Sequence, residues 1–542
     1  MVKKEFSTKS GFLHFPIFAS LPEEANYIKV AVSGEVKNIF AINIAKNRAQ
    51  TTFYAPLDIK RYGTEKITLI CDDEDATENL FDLVIEGGSV FEEKELYPDL
   101  YKEEIRQQVH FSPARGWMND PNGLVFVNNE FNMYFQHNAF SNHSFGYPNI
   151  GWGLAKTKDG IHFKEYGDKI LTDDTKFSIA SGSAIIDKNN IAGFGKNAIL
   201  AYCSKLYCRQ FKGRQNATSG GGQNLYYSLD GGMTFTPYEN NPVIPVPEKM
   251  EWRDPKILQL DEKTLGIAVY ETFEDKNCIS IYKSYDAKNW EFCSRNFDFY
   301  ECPDLFKLKV KNSDEEVWAL YGANGVCYIG TFDNFVFKPV GESCFVDYGI
   351  CVYAGQTFNN FGDNEKRIYT AWLCDWEHDG WKFDENEPHR KFGFSQSMAI
   401  FTEFTIVKTE SGYKLLRAPI EALKTLRGDK REVGLQNVKA EAPCEIAFTL
   451  KKGIDAKIRV DSVGFDYIGD EHKIISTTSR QGEIISDGEI EVRIIVDNRT
   501  TEIYVANEMV LSFNGKKENV TVQADYELKG EYYPLKSIWE NI

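Results

Sequence analysis

The chain has 542 residues, too many for one compact domain, and this length predicts two to four domains. It carries 80 acidic and 62 basic residues, for a formal net charge of −18. Because nucleic-acid binding depends on a basic surface that displaces counterions, this charge argues against a nucleic-acid partner. No apolar segment is long enough to predict a membrane span, and the first residues show no signal-peptide pattern. We therefore expect a cytoplasmic protein with no membrane partner.

The potential metal ligands show no metal-binding pattern. The 11 cysteines are scattered without a C-x-x-C pair, which predicts free thiols and neither a zinc site nor a disulfide framework. Ordinary polar or packing roles are predicted for His110, His137, His143, His378 and His389, which share no ligand spacing. We expect no metal and no organic cofactor.

Short alternating segments bounded by Gly, Asn and Asp dominate the chain, and helical periodicity is scarce, so the fold class is all-β. Residues 1–103 are predicted to form an N-terminal β-rich domain of unassigned role. Its strand-like segments are residues 27–34, 66–71 and 79–88.

From residue 105 an internal repeat begins, in which a polar motif opens an apolar strand and a second apolar strand returns after a turn. Its five copies begin at NDPNGLVF, SGSAIID, RDPKILQL, ECPDLFKL and YAGQTF. Four copies continue into an outer strand with an acidic turn and a nearby aromatic residue. Five such units in tandem predict a five-bladed β-propeller over residues 104–415.

The repeat stops after about residue 410. Residues 416–434 are predicted to be a linker, with one or two helical turns in the stretch 417–434. Strand patterns return in residues 435–542, which are predicted to form a C-terminal β-sandwich, with residues 489–513 as one of its hairpins.

Three of the five repeats open on a carboxylate close to a proline: Asp120, Asp254 and Glu301. A single Asp-Pro is most simply a turn. In a propeller, however, the innermost strands converge at one end of the central channel, so these three residues should meet around one pocket. Facing carboxylates repel each other, so at least one should keep its proton to higher pH. One charged and one protonated carboxyl group are what cleavage of a glycosidic bond requires.

The segments WMNDPNG, WRDPK and ECPDLF, in this order, resemble the signature motifs of glycoside hydrolase family 32, which includes invertases, levanases, inulinases and sucrose-6-phosphate hydrolases. ASGSA (180–184), MYFQHN (133–138) and GWGLA (151–155) resemble further segments of that family. The resemblance covers the propeller and extends into the sandwich.

The resemblance implies a retaining β-fructofuranosidase acting on sucrose, fructo-oligosaccharides or fructan. Asp120 would be the nucleophile, Glu301 the acid and base, and Asp254, paired in sequence with Arg253, would bind sugar hydroxyls. Carboxyl groups roughly 5–5.5 Å apart are expected for the retaining route. The further substrate-binding candidates are Asn119, Gln136, Trp152, Ser181 and Trp372. Cys302, next to Glu301, is interpreted as a packing residue.

The sequence departs from the family at Ala180, at CVYA (351–354) and at IFTEF (400–404), which leaves the choice of substrate open. A basic segment, 204–215, is read as a solvated loop, although it could hold the phosphate of sucrose 6-phosphate. The alternatives are a fructosyltransferase using the same intermediate, a non-catalytic sugar-binding protein and an inverting arabinan-type hydrolase. The sequence does not indicate the oligomeric state.

Overall fold

The computed structural model describes residues 1–19, 25–63, 65–142, 149–173, 177–207, 221–246, 251–362, 364–374, 392–410, 412–436, 438–515, 520–524 and 526–540. Nearly all regular structure in these ranges is β-strand, which confirms the predicted all-β class. Within the same ranges, no helix is long and apolar enough to cross a membrane. The short 3₁₀ turns are Thr8–Ser10, Arg48–Gln50, Lys60–Tyr62 and Glu421–Leu426.

The N-terminal part forms two small antiparallel sheets, with strand orders β1-β6-β3-β4 and β5-β2-β7. The strands are β1 (Val2–Ser7), β2 (Phe12–Ile17), β3 (Asn26–Val32), β4 (Glu35–Ile42), β5 (Phe53–Asp58), β6 (Lys66–Cys71) and β7 (Ile85–Gly87). The predicted strands at 27–34 and 66–71 are confirmed, whereas the strand predicted at 79–88 is wrong over most of its length. Backbone bonds from Leu80 to Thr77 and from Asp82 to Asn79 fold that segment into successive turns, which bury Phe81 without a strand.

The next part contains five sheets, each built from strands in sequence order, from inside to outside. The first contains β8 (Gly116–Val127), β9 (Glu130–Asn138), β10 (Gly151–Thr157) and β11 (Lys164–Ile170). The second contains β12 (Phe177–Asp187), β13 (Ala198–Tyr207), β14 (Gln223–Ser228) and β15 (Thr236–Pro237). The third contains β16 (Trp252–Gln259), β17 (Leu265–Phe273), β18 (Lys276–Ser284) and β19 (Glu291–Phe297).

The fourth sheet contains β20 (Asp304–Lys309), β21 (Glu316–Tyr321), β22 (Val326–Asp333) and β23 (Val336–Pro339), with β24 (Cys344–Phe345) beside β22. The fifth contains β25 (Val352–Thr357), β26 (Arg367–Leu373), β29 (Thr402–Thr409) and β30 (Gly412–Pro419). Two short strands, β27 (Phe394–Ser395) and β28 (Ser397–Met398), precede β29. Strand β30 runs past residue 415, where the propeller was predicted to end.

The innermost strands contact one another in the cyclic order β8, β12, β16, β20, β25 and back to β8. The seam between the first and fifth sheets is hydrogen-bonded: β27 pairs in parallel with β8, and Asn359 exchanges backbone bonds with Leu124 and Phe126. This closed ring is the arrangement of a five-bladed β-propeller. It brings the starts of the innermost strands to one end of the channel.

The acidic turns of the outer strands are structural. In the first three blades an aspartate, Asp159, Asp230 or Asp286, accepts backbone N–H bonds from residues two to four positions later. A Thr or Ser two residues before each aspartate donates its hydroxyl to it, at 2.7–3.1 Å. Each carboxylate therefore satisfies the backbone of a tight turn, which explains why the motif recurs.

Buried polar contacts close the channel beneath the polar strand openings. Lys256 Nζ lies 3.1 Å from Asp304 Oδ1 and donates to the carbonyl of Thr357 at 2.9 Å, so one ion pair joins three blades. Asn359 donates to the carbonyls of Ala184 and Ile257. The interior is therefore a packed, hydrogen-bonded core rather than an open pore.

The C-terminal part is a two-sheet sandwich with strand orders β31-β41-β32-β37-β38-β39 and β36-β35-β34-β33-β40 around one apolar core. The strands are β31 (Arg431–Gly434), β32 (Cys444–Leu450), β33 (Ala456–Val460), β34 (Val463–Ile468), β35 (Lys473–Ser476), β36 (Gln481–Glu483), β37 (Ile490–Val496), β38 (Thr500–Val505), β39 (Met509–Asn514), β40 (Thr521–Ala524) and β41 (Lys529–Pro534). The predicted hairpin at 489–513 is a three-stranded meander. The predicted linker contains the 3₁₀ turn at Glu421–Leu426 and ends in β31.

A buried charge cluster joins the propeller to the sandwich. His110 Nδ1 lies 2.9 Å from Asp497 Oδ2, and its Nε2 lies 3.5 Å from Glu502 Oε2. Asp497 also accepts the backbone N–H groups of Gln108 and Val109. Burial opposes charging of the ring, but the hydrogen bonds and charges of the two carboxylates outweigh it and raise the pKa of His110 to about 9.

We expect this cluster to make stability depend on pH. Because the pKa of His110 is higher in the folded protein than in the unfolded chain, the charged ring stabilises the fold fully below about pH 6.5, and this contribution is lost as pH rises through about 9. Thermal midpoints at pH 6, 8 and 10 should therefore fall more steeply for the wild type than for His110→Gln. Parallel pH profiles would contradict this linkage.

Candidate active site

The structure brings the three predicted carboxylates together from three blades. Asp120 lies in β8, Asp254 in β16, and Glu301 in the bend before β20. Four of the five innermost strands within the described ranges have an irregular register at the same level, at residues 118–121, 179–182, 253–256 and 353–356. Bulges of this kind re-aim side chains. Pro121 and Pro255 suit such positions because they lack a backbone N–H for the ladder.

Asp120 lies at the buried floor of the site, with 8% of its surface exposed. Ser181 donates its hydroxyl to Asp120 Oδ2, and Gln136 in turn donates to Ser181. Asn119 donates to Asp120 Oδ1 at 3.3 Å and to Gln136 Oε1 at 2.8 Å, and its own Oδ1 accepts the indole N–H of Trp117. This network fixes the Asp120 carboxylate from one side.

Asp254 is held by its backbone as well as its side chain. Its φ of +63° is unusual for a residue other than glycine, and its N–H donates to Ser204 Oγ at 2.8 Å. Ser204 donates onward to Gln223 Oε1 at 2.7 Å, and Gln223 donates to the carbonyl of Trp252. Neither Ser204 nor Gln223 was predicted as a site residue, because their strands β13 and β14, in the second blade, approach Asp254 of the third blade only in the folded propeller.

Cys302 links two of the carboxylates. Its Sγ lies 3.5 Å from Asp120 Oδ2 and 3.4 Å from Asp254 Oδ2, and its backbone N–H donates to Asp254 at 3.1 Å. Burial and the surrounding negative charges raise the pKa of this thiol well above its usual value, so it stays protonated and donates. The thiol therefore takes part in the polar network, which goes beyond the predicted packing role.

Glu301 is the most exposed of the three carboxylates, with 20% of its side chain accessible. Arg253 Nη2 lies 3.2 Å from Glu301 Oε1, and Arg253 Nε lies 3.7 Å from Asp254 Oδ2, so one guanidinium bridges both acids. The guanidinium also lies over the ring of Tyr270 at 4.7 Å. Tyr300 contacts the edge of the Tyr270 ring. Burial, and to a smaller extent the charge of Glu301, raises the pKa of Tyr300.

The environment of the pocket raises the pKa of two of its carboxyl groups, those of Asp120 and Asp254. Burial raises the pKa of Asp120 to about 6, against the hydrogen bond from Ser181, and the charge of Glu301 adds to the increase. Burial also raises the pKa of Asp254 to about 7, against the charge of Arg253, with Glu301 and Asp120 adding to it. The sequence predicted that like-charge repulsion would raise a carboxyl pKa. In both residues, desolvation by burial raises the pKa more than the neighbouring carboxylates do.

The two tryptophans predicted to bind substrate are almost fully enclosed. Trp152 is 0% exposed, donates its indole N–H to the carbonyl of Ala180 at 2.9 Å and packs against Tyr134. Trp372 is 1% exposed, donates to Gln396 at 2.8 Å and contacts the edge of Trp117. Tyr353, from the segment CVYA, packs on Trp372 and beside Cys302 and presents a partly exposed ring, although it was not among the predicted substrate-binding residues.

The Ser204 hydroxyl offers a test of how Asp254 is positioned. Ser204→Ala removes the acceptor of a buried N–H, a change that typically costs about 1–3 kcal/mol. We expect kcat/KM to fall about tenfold, because the backbone carrying Asp254 loses its anchor. The matched control is Ser183→Ala, which removes equivalent bonds to Pro255 and Ile257 deeper on the same strand. Equal kinetic losses in both variants would contradict a positioning role for Ser204.

Comparison with known proteins identifies the family. A sequence model of the glycosyl hydrolases family 32 N-terminal domain matches residues 110–419, a range that contains strands β8 to β30. The chain belongs to glycoside hydrolase family 32.

The sequence relatives include a levanase, an exo-inulinase and an invertase. The chain is 30% identical to a levanase of Bacillus subtilis over 61% of its length and 49% of the relative's. It is 34% identical to an extracellular exo-inulinase of Meyerozyma guilliermondii over 51% of its length and 56% of the relative's. An invertase of Wickerhamomyces anomalus is 30% identical over 61% of this chain and 62% of its own length. The chain thus spans about half the length of the levanase and the exo-inulinase.

The fold is shared with solved family 32 structures. The exo-inulinase of Aspergillus awamori superposes with a TM-score of 0.67 at 22% identity, covering 81% of this chain and all of that one. A sucrose-6-phosphate hydrolase from Lactobacillus gasseri superposes with a TM-score of 0.64 at 18% identity, covering 82% of this chain and 96% of that one.

The remaining candidates have other surroundings. Oxygens of Asp254 and Glu301 and the sulfur of Cys302 lie within 4.8 Å of one another, a spacing that a metal ion could bridge, but Arg253 already sets a positive charge against both carboxylates. His137 is paired with Asp168 at 2.6 Å, outside the cluster of the three carboxylates. Lys205 pairs with Asp173. The rest of the basic segment from residue 208, and His143, His378 and His389, lie outside the described residues.

Proposed function

We propose that the protein is a retaining β-fructofuranosidase that releases terminal, non-reducing β-fructofuranosyl units from sucrose, fructo-oligosaccharides or fructan. The main support is the meeting of Asp120, Asp254 and Glu301 around Cys302 and Arg253, each carboxylate delivered by a different blade. Membership of family 32, and the levanase and invertase among the relatives, support a fructoside as the substrate.

Asp120 has the surroundings of a nucleophile. It is the carboxylate at the floor, and three side chains, those of Ser181, Gln136 and Asn119, hold it in one orientation. Its attack on the anomeric C2 would break the glycosidic bond and form a covalent fructosyl-enzyme. The same polar side chains then face the sugar ring and suit its hydroxyls.

Glu301 is suited to be the acid and base. Its position at the more exposed side of the cluster matches the place where a leaving group departs and a water molecule enters. As an acid it would protonate the leaving oxygen, and as a base it would then take a proton from the water that attacks the intermediate. Arg253, at 3.2 Å, holds the carboxyl group in place through both steps.

Asp254 and Arg253 would stabilise the transition state. Asp254 is 4% exposed, and its Oδ2 is oriented by the N–H and Sγ of Cys302. Hydrogen bonds from sugar hydroxyls to this carboxylate would strengthen as positive charge develops on the ring.

Incubation with sucrose, sucrose 6-phosphate, kestose, inulin and levan, scored by released fructose, tests this proposal. Fructose should appear from at least one substrate, and the first anomer detected by NMR should be the β-anomer. No fructose from any of them would overturn the function, and initial release of the α-anomer would overturn the retaining route. A strong preference for sucrose 6-phosphate would identify the phosphorylated disaccharide as the substrate. Trisaccharide formed faster than free fructose at high sucrose would identify a transferase.

A further inference from the structure

A second cleft lies between the N-terminal sheets and the first propeller blade. Its volume is about 800 Å³, within the range of sites for small molecules. The N-terminal wall includes Phe12, Asp58 and Phe91, and the propeller wall is formed by the outer strand β11 with Tyr166 and Lys169. Nothing in the proposed hydrolysis uses this cleft.

The cleft is on the opposite face of β9 from the candidate active site. Gln136 points into the catalytic network, whereas His137, the next residue, lines the cleft and bonds to Asp168 and to the carbonyl of Arg115. Successive side chains of a strand point to opposite faces. The two sites therefore share a strand but not a cavity.

The two walls are fixed relative to each other. Arg61, from the N-terminal part, donates to the backbone carbonyls of Asp168 and Lys169 at 3.2 and 3.3 Å. These bonds join the N-terminal part to the edge of the first blade. The cleft is therefore a preformed space between two surfaces that are bonded to each other.

Lys169 is the unusual residue of the cleft. It is only 8% exposed, and burial lowers the pKa of its ammonium group. Within the described residues its Nζ forms no hydrogen bond and no ion pair within 4 Å, although Asp58 and Asp168 act on it from a distance. Most of the residue is buried, but its Nζ still reaches the solvent of the cleft, where a bound anion would pair with it.

The charges around Lys169 favour an anion. The basic residues lining the cleft are Lys60, Arg61, Arg115, Lys164 and Lys169. Two of the acidic residues of the cleft have partners. Glu165 accepts the N–H of Ala114, and Asp168 pairs with His137, whose pKa is raised to about 9.

The other two acids of the cleft are likewise bound to backbone N–H groups. Asp58 accepts the N–H of Lys60 at 3.0 Å, and Glu92 accepts the N–H of Ser89 at 2.6 Å. Among the described residues, Arg115 pairs with Glu103 at 2.9 Å and Arg61 is held by backbone carbonyls, so Lys60, Lys164 and Lys169 are the lining cations left to pair with a ligand. The half-buried rings of Phe12 and Tyr166 add flat apolar surface next to these cations. Lys60 Nζ lies 6.0 Å from the centre of the Phe12 ring, and Lys164 Nζ lies 5.5 Å from the centre of the Tyr166 ring.

We propose that this cleft is a second, non-catalytic site that binds a phosphorylated sugar. The phosphate would pair with Lys169 and the neighbouring cations, and the rings of Phe12, Phe91 and Tyr166 would pack on the sugar. The volume exceeds what inorganic phosphate needs and suits a mono- or disaccharide phosphate. This site goes beyond the hydrolytic function and does not depend on it.

Calorimetric titration of the full chain with glucose 6-phosphate, glucose and inorganic phosphate tests the proposal. Glucose 6-phosphate should bind, and Lys169→Met should weaken its binding roughly tenfold or more through the lost charge-assisted bond. The control Lys366→Met, at an exposed lysine paired with Glu403 on the fifth blade, should bind like the wild type. Hydrolysis of sucrose should stay within about twofold of the wild-type rate in both variants, since neither lysine touches the three carboxylates.

Several results would overturn the proposal. These are no binding of glucose 6-phosphate to the wild type, equal binding by Lys169→Met, or equally tight binding of glucose, which would show that the charge has no role. Equally tight binding of inorganic phosphate would show that the sugar is not recognised. If Lys169→Met does not fold, Lys164→Met, at an exposed position in the same cleft, is held to the same criteria.

Discussion

Replacing Asp120 with Asn should reduce turnover of the best substrate by about 10⁴-fold or more while leaving the fold intact, the scale expected when a covalent nucleophile is removed. The amide has nearly the same shape and can still bond to Ser181 and Asn119, but it cannot form the fructosyl-enzyme. Fructose release measures the loss, and the thermal midpoint reports on the fold. Since burial raises the pKa of Asp120, a neutral amide should not lower the midpoint much.

The matched control for this variant is Asp230→Asn. Asp230 is another propeller aspartate, but its carboxylate holds an outer turn through Met233 and Thr234. We expect a lower thermal midpoint with nearly normal kcat. Undiminished fructose release by Asp120→Asn would overturn the assignment of the nucleophile.

Glu301→Gln should lower kcat/KM for sucrose by about 10²–10⁴-fold, the usual contribution of general acid catalysis. The loss should be much smaller for an aryl β-fructofuranoside, because its leaving group departs without protonation. Glu251→Gln serves as control, since Glu251 also bonds to Arg253, at 2.7 Å, but is largely exposed. The ratio of rates on the two substrates measures the effect.

A uniform loss on both substrates in Glu301→Gln would contradict the acid role and point to lost binding through Arg253. The same leaving-group dependence in Glu251→Gln would show that Arg253, rather than Glu301, governs departure. Together with Asp120→Asn, these variants separate formation of the intermediate from protonation of the leaving group.

The sequence was most informative where a physical constraint repeats. Five polar strand openings, each followed by a returning strand, predicted the propeller, and the proximity of Asp120, Asp254 and Glu301 followed from that geometry. The acidic turns at Asp159, Asp230 and Asp286 could be recognised in the sequence because each aspartate accepts backbone N–H groups of the same kind of tight turn. The all-β class and the family were therefore within reach of the sequence.

Other features depend on contacts that no local pattern encodes. The segment 79–88 is apolar enough for a strand, but Phe81 and Val84 are buried by turns against other elements. Ser204 and Gln223 support Asp254 across strands of the second blade, and nothing in their own segments indicates it. The double contact of Cys302 requires two carboxylates that are distant in sequence to approach one sulfur atom.

The seam between the first and fifth blades has a consequence for biosynthesis. Strand β8, which carries Asp120, leaves the ribosome early, yet its parallel partner Phe394–Ser395 and the bridging residue Asn359 are made much later. Until they arrive, one edge of β8 offers unpaired backbone groups to other nascent chains. A chain that terminates before the fifth blade should therefore be recovered in aggregates rather than as a partly active enzyme.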